Sequence, residues 1–322
     1  MDLAQEVLSG KPIERDQAMA MVHSSDDDLL NLLAGAFRLR REYFGRGVML
    51  HVIRNAKSGH CGEDCAYCNQ SAHSGSDVAA HPLQSADELV AAARQAYGRK
   101  AARYCMVTAG RRVGAAELEV LCDAASRIRT ELSLEICTSL GELTREQAER
   151  LKAAGVNRYN HNLETVPRVF RTICSTHTFE DRVATASIAK AAGLELCCGG
   201  LLGLGESPAE RVELAFLLRQ VDPNSIPINL LDPKAGTSLA GVERIRPNDA
   251  LRALAMFRFV HPDKEIRIAG GRERILGHLQ VLSLYAANSL FTEGYLTYAG
   301  QGYQADLAMI EAAGFEVASF SE

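Results

Sequence analysis

The sequence predicts an α/β protein, a (βα)8 barrel of the TIM type with an N-terminal helical extension. Three observations carry this. Short aliphatic runs alternate with longer amphipathic ones from about residue 46 onward. Eight such pairs are found, which suits parallel strands joined by right-handed helical crossovers. No composition break or low-complexity stretch divides the chain, which favours one closed barrel over two domains. An open doubly wound sheet is the second choice; in both, ligands sit at the carboxyl ends of the strands.

Residues 1–45 read as the helical extension, with Asp26, Asp27 and Asp28 capping the helix that carries Leu29, Leu30, Leu33 and Phe37. Residues 46–322 read as the barrel with a C-terminal helical segment. The expected strands are Val48–Ile53, Arg103–Val107, Leu134–Cys137, Arg158–His161, Glu195–Gly199, Ser225–Leu230, Glu265–Ile268 and Ala287–Phe291. The expected helices are Ala86–Tyr97, Ala115–Arg129, Arg145–Ala154, Phe179–Ala191, Pro208–Gln220, Asn248–Val260, Leu276–Tyr285 and Gln304–Ala313. Ser71–Gln84 is the longest stretch without periodicity.

The 322 residues are 47% hydrophobic and 23% charged, with a net charge of −5. That is a globular composition without a basic footprint, so nucleic acid is not an expected partner. The start, Met1-Asp2-Leu3-Ala4-Gln5-Glu6, lacks the order of a signal peptide, and no apolar run suggests a membrane span. A cytoplasmic location is expected. There the nine cysteines are reduced thiols rather than a disulfide framework.

Cys61, Cys65 and Cys68 lie in one short run, His60-Cys61-Gly62-Glu63-Asp64-Cys65-Ala66-Tyr67-Cys68, directly after the first strand. Three thiolates leave one iron of a four-iron cluster open to a further ligand. A zinc site with His60 or Cys105 as the fourth ligand is the alternative, but no second cysteine knuckle accompanies the first. The C-x3-C-x2-C spacing, with Tyr67 before the third cysteine, resembles the radical SAM signature.

A second set is dispersed. Cys105 is expected to end the second strand and Cys137 the third; Cys197 lies in the fifth and Arg267 on the seventh. Inward positions of a barrel converge. An arginine within an apolar strand needs a partner, either a carboxylate such as Glu195 or Glu273, or a second metal cluster. Cys122 reads as an ordinary helix cysteine.

Together with the runs Tyr159–Thr165, Gly199–Glu206, Pro227–Leu230 and Ile266–Glu273, the cysteine motif is similar to the biotin synthase family over residues 45–315. The resemblance implies a 4Fe–4S cluster on Cys61, Cys65 and Cys68. It also implies an auxiliary, sulfur-donating cluster, 2Fe–2S in the family, on Cys105, Cys137, Cys197 and Arg267. Asn162 and Asn229 would hold dethiobiotin near its ureido ring. Glu164, standing where aspartate is common, and Arg182 would contact S-adenosylmethionine, as would the strand containing Gly200 and Gly203. The implied reaction is sulfur insertion at C9 and C6 of dethiobiotin, giving biotin. A flavodoxin or ferredoxin electron donor and a homodimer are implied with it. Two thiols depart from the pattern: Cys174, and Cys198, which follows Cys197 and should face outward because neighbouring strand residues alternate. Either would raise the auxiliary nuclearity if it reached that site. The alternatives are a hydrogenase-maturase-like enzyme or mutase on the same barrel and, more distantly, a zinc-stabilised binding protein.

Overall fold

The computed structural model describes residues 3–318. Met1, Asp2 and residues 319–322, which the predicted extension and barrel spans include, lie outside them. Three helices come first: α1 (Leu3–Leu8), α2 (Arg15–Val22) and α3 (Leu29–Phe44). The barrel strands follow as β1 (Gly47–Lys57), β2 (Arg103–Thr108), β3 (Glu135–Ser139), β4 (Arg158–Asn160) and β5 (Glu195–Cys197). They continue as β6 (Gly200–Leu202), β7 (Ser225–Leu230), β8 (Glu265–Ile268) and β9 (Ser289–Thr292). All pair in parallel, and β1 closes the barrel on β9 with Leu50 opposite Leu290. β5 and β6 are one barrel position, interrupted at Cys198-Gly199. A Cβ on Gly199 would lie 1.9 Å from the Pro227 carbonyl oxygen, so only glycine lets this strand pass so close to β7.

Between the strands lie α4 (Ala86–Gly98), α5 (Ala115–Glu131), α6 (Arg145–Ala153), α7 (Pro167–Ile173), α8 (Phe179–Ala191), α9 (Pro208–Val221) and α10 (Pro247–Val260). Four of them begin at a Ser or Thr whose hydroxyl caps the third helical amide while that residue's side chain returns the bond: Ser85/Glu88, Thr144/Gln147, Thr178/Asp181 and Ser207/Glu210. That local chemistry is why these helix starts coincide so closely with the periodicity.

Several elements differ from expectation. α7 is an added helix after β4. The expected helix over 276–285 is instead α11 (Arg272–Leu276) and a 3-10 turn, Gly277–Tyr285, broken where Gly277 takes φ +51°. A two-stranded hairpin, β10 (Gly294–Tyr295) and β11 (Tyr298–Ala299), follows β9. After α12 (Tyr303–Ala312), β12 (Glu316–Val317) pairs with the start of β1. These pieces are too short for a hydrophobic period to reveal.

α3 packs on α10, and α2 on α9 and α10. Arg40 of α3 is fully buried and donates to the carbonyls of Ala287 (3.1 Å) and Gly47 (2.6 Å). The extension is thus tied to the amino ends of β1 and β9, opposite the end where the cysteine loop emerges. Among the described residues no helix is long and apolar enough to cross a membrane.

Candidate active site inside the barrel

Inward-facing residues climb the barrel two at a time. The lowest layer is ionic. Glu265, the first residue of β8, takes the Arg158 guanidinium at 2.6 Å, Arg103 at 3.4 Å, His51 Nε2 at 3.1 Å and the Ser289 hydroxyl at 2.9 Å. Arg267, two residues on, is ion-paired with the same carboxylate. The partner of Arg267 is therefore Glu265, not Glu195 or Glu273: residues two apart on a strand share a face. Burial alone would raise the Glu265 carboxyl, but Arg267 and Arg158 hold it well below the usual range. His51 is neutral, its imidazole pushed down to about 3 by burial and then by Arg267.

One fully buried carboxylate faces three buried guanidinium groups there; Glu135 and Glu195, which also engage Arg103 and Arg158, are half-exposed. The carboxylates match the guanidinium groups in number, but only Glu265 is buried with them, so guanidinium faces the layer above. Cys105 and Cys137 stand opposite each other in the β2–β3 register, and Cys197 ends β5. Both Cys105 and Cys137 sit mid-strand rather than at strand ends, because β2 and β3 run on to Thr108 and Ser139. The Cys105 thiol is pushed up by its hydrogen bond to Cys137, and Cys137 is pulled down by that bond and by Arg103, Arg158 and Arg267. Arg267 Nη1 points at Cys197 Sγ from 3.5 Å, and its buried Nε has no hydrogen-bond partner. Three interior thiols, buried guanidinium groups beneath them and an unsatisfied guanidinium nitrogen suit an anionic iron–sulfur group held by thiolates.

The rim carries the other predicted set. Cys61, Cys65 and Cys68 lie half-buried on the loop after β1. The loop is shaped by Ala72 N–H bonding the Cys61 carbonyl (2.7 Å) and Cys68 N–H bonding that of Cys65 (2.9 Å). A chamber of about 200 Å³ is walled by this triad together with Glu164 and Arg182. A larger one of about 430 Å³ is walled by Cys105, Cys137, Arg267 and Asn229, with Tyr295 of the hairpin. Tyr67, Cys68, Asn162 and Glu164 belong to both. Three thiols on one loop beside a polar chamber, with no fourth thiol in that loop, fit a 4Fe–4S cluster with one open iron.

Arg182 is no solvated helix charge: it is buried, donates to the Asn162 carbonyl (2.9 Å) and lies 3.8 Å from Glu164 Oε1. Burial raises the Glu164 carboxyl, opposed by Arg182. Glu164 takes φ +68°, and its carbonyl accepts from Leu201 N–H at 2.7 Å, coupling it to β6. Gly200 is required by packing, since a Cβ there would lie 2.7 Å from the Glu164 carbonyl oxygen; Gly203 takes φ +99°. Leu201, rather than either glycine, lines the larger chamber. Asn229 receives Gly270 N–H at 2.9 Å and donates to the Gly200 carbonyl at 3.3 Å; Asn162 receives Gly199 N–H at 3.1 Å.

The two extra thiols separate. Cys198 is wholly buried in the apolar core, as strand alternation predicts. Cys174 is nowhere near the interior thiols; its Sγ is 3.9 Å from Cys65 Sγ and 3.2 Å from His177 Nδ1. Sequence reasoning missed His177 and also Asn160, whose Nδ2 reaches Cys197 Sγ at 3.1 Å. It also missed the ionic layer, although Arg103, Arg158 and Glu265 each open an apolar strand and could have been read as inward charges.

A parallel barrel with a three-thiol loop above β1 defines the class. The Radical SAM superfamily model matches residues 57–218, and the Biotin and Thiamin Synthesis associated domain matches residues 227–316. The chain belongs to the biotin synthase family. It is 50% identical to the biotin synthase of Salinibacter ruber (98% of this chain, 88% of that one). It is 44% identical to that of Bacillus subtilis (100% and 96%). In structure it resembles methylornithine synthase, with a TM-score of 0.86 at 20% identity (98% and 97% covered). It also resembles the FeFe-hydrogenase maturase of Carboxydothermus hydrogenoformans, with 0.83 at 18% (99% and 79%), a likeness of fold alone. Membership implies a 4Fe–4S cluster and S-adenosylmethionine.

Proposed function

We propose that the chain converts dethiobiotin to biotin, replacing one C–H bond at C9 and one at C6 by C–S bonds. The carrying observation is the convergence of Cys105, Cys137, Cys197 and Arg267 from four strands onto one interior level. Radical chemistry alone does not call for that second sulfur set. When bound, the 4Fe–4S cluster and S-adenosylmethionine supply a 5′-deoxyadenosyl radical, and an auxiliary iron–sulfur cluster, 2Fe–2S in this reading, supplies the sulfur.

Cys61, Cys65 and Cys68 hold the first cluster; Cys105, Cys137, Cys197 and Arg267 hold the second. Arg267 is the one ligand without a thiolate, and Glu265 and Ser225 fix its guanidinium plane. Glu164 accepts from ribose hydroxyls and Arg182 binds the cosubstrate carboxylate. Asn162 and Asn229, their amides oriented by these bonds, contact the ureido ring through their remaining donor and acceptor capacity. Residues lining both chambers bring the two reacting molecules to one wall, and the hairpin above helps keep water from reactive carbon. The reading keeps residues 1–45 as a helical extension of a 46–322 barrel, a homodimer, and a flavodoxin or ferredoxin donor in the cytoplasm.

The test is Cys105→Ala in anaerobically reconstituted protein. Biotin formation is lost while reductive cleavage of S-adenosylmethionine persists. Biotin formation by this variant would refute the auxiliary-site assignment.

A further inference from the structure

Beside the triad lies a group of side chains that the proposed reaction does not use. Cys174 follows α7, and Ser175-Thr176-His177 lead into α8. This turn is clamped to the cysteine loop by two carboxylates. Asp64 accepts from the backbone N–H of Ser175 (2.9 Å) and Thr176 (3.2 Å). Glu63 accepts from the Thr176 hydroxyl (2.7 Å) and pairs with His177 Nδ1 (2.5 Å). Ala66 N–H bonds the Ile173 carbonyl at 2.8 Å. Cys174, His177 and Glu63 are each nine-tenths or more buried.

The ligand atoms of Cys65, Cys174 and His177 all lie within 4.8 Å of one another. A tetrahedral zinc ion with Zn–S bonds of about 2.3 Å and Zn–N bonds of about 2.0 Å requires S···S near ~3.8 Å and S···N near ~3.5 Å. The separations are 3.9 Å for Cys65 to Cys174 and 3.2 Å for Cys174 to His177 Nδ1. Glu63 Oε2, 2.5 Å from the same ring nitrogen and outside that group, is not a ligand; the fourth position is left to solvent. Two sulfurs and an imidazole select a borderline-soft dication such as Zn2+ or Fe2+ over Mg2+ or Ca2+. Asp64 is spent on the turn's amides, and its bonds preorganise the site.

We infer that Cys65, Cys174 and His177 form a mononuclear transition-metal site in the cluster-free chain. It takes a single dication and competes with the 4Fe–4S cluster for Cys65. Because Cys65 is common to both, the ion leaves when the cluster is built. This rests on the proposed ligand role of Cys65, but its test needs no enzymatic activity.

The full chain, stripped of iron and sulfide without oxygen, is titrated with Co2+. One Cys174-dependent equivalent is expected, with thiolate-to-cobalt charge-transfer absorption and the strong visible bands of tetrahedral Co2+, displaced by Zn2+. Cys61→Ser and Cys68→Ser keep that equivalent. Cys174→Ser loses it, and His177→Gln shifts the visible bands and weakens binding at least tenfold, with circular dichroism confirming folded protein. Reconstitution with ferrous iron and sulfide releases the cobalt. Cobalt spectra and stoichiometry unchanged in Cys174→Ser would overturn the inference, as would loss of the equivalent in Cys61→Ser, which would place the ion on the triad. Retention of the Cys174-dependent ion alongside a complete 4Fe–4S cluster would overturn the competition. Failure of biotin formation with normal cobalt binding would count against the proposed reaction alone.

Discussion

Arg267 Nη1 lies 3.5 Å from Cys197 Sγ while the same guanidinium is ion-paired with Glu265, two residues earlier on β8. The pair links the ionic floor of the barrel to the sulfur layer above it. A carboxylate that neutralises part of the floor also aims the arginine upward.

Glu265→Gln should therefore be among the most destabilising changes available. It leaves Arg103, Arg158 and Arg267 around a neutral amide, and breaking such a buried network costs about 3–5 kcal/mol. Chemical denaturation of the folded chain measures this. A loss under 1 kcal/mol would mean that water or anions compensate the guanidinium groups.

His261 sets a pH dependence away from the proposed clusters. It is buried beside Phe257, with Nε2 3.0 Å from the Ala215 carbonyl, and burial pushes its imidazole down to about 3. In the unfolded chain it protonates near ~6.5. The folded value is depressed, so its contribution is complete above pH ~6.5 and is lost as pH falls toward 3, by about 1.4 kcal/mol per unit. Urea denaturation at pH 4.5–6.5 should show a slope shallower by about one proton in His261→Gln than in the parent. Equal slopes would mean that His261 titrates normally.

Cys197 and Cys198 should separate sharply. Cys198→Ala removes a core sulfur at a cost of about 1 kcal/mol and leaves iron and sulfide per chain unchanged. Cys197→Ala, next to Arg267, should lower both after reconstitution. Equal metal loss from the two variants would contradict the outward assignment of Cys198.

Gly199→Ala should fail through packing. The added Cβ would meet the Pro227 carbonyl oxygen at 1.9 Å, forcing β5 and β7 apart at a cost of about 3 kcal/mol or more. A lowered melting temperature is the readout; Gly62→Ala, where the Cβ meets open space, serves as the control.

Arg182→Lys should weaken S-adenosylmethionine binding about tenfold or more, since a point charge replaces the planar fork beside Glu164. Calorimetry on reconstituted protein checks this. Unchanged affinity would assign Arg182 to holding the Asn162 carbonyl instead.

Much of this was readable in the chain. The C-x3-C-x2-C loop is local, so spacing alone exposes it, and capped amphipathic runs mark the barrel helices because capping and periodicity act over a few residues. The split of β5 from β6 was not readable, because it depends on how closely Gly199 passes Pro227. The partner of Arg267 was readable but missed: Glu265 stands two residues earlier on the same strand, and such positions share a face.

The sequence by itself determined the barrel, the three-thiol loop and the family, since each is written in short-range pattern. Tertiary structure alone decided which thiols meet. Cys137 faces Cys105 through strand register, Cys198 turns into the core by alternation, and Cys174 is carried to Cys65 by Glu63 and Asp64 gripping a turn more than a hundred residues away. Spacing encodes neighbours along a chain. Contacts between elements are set by closure, register and the burial of charge.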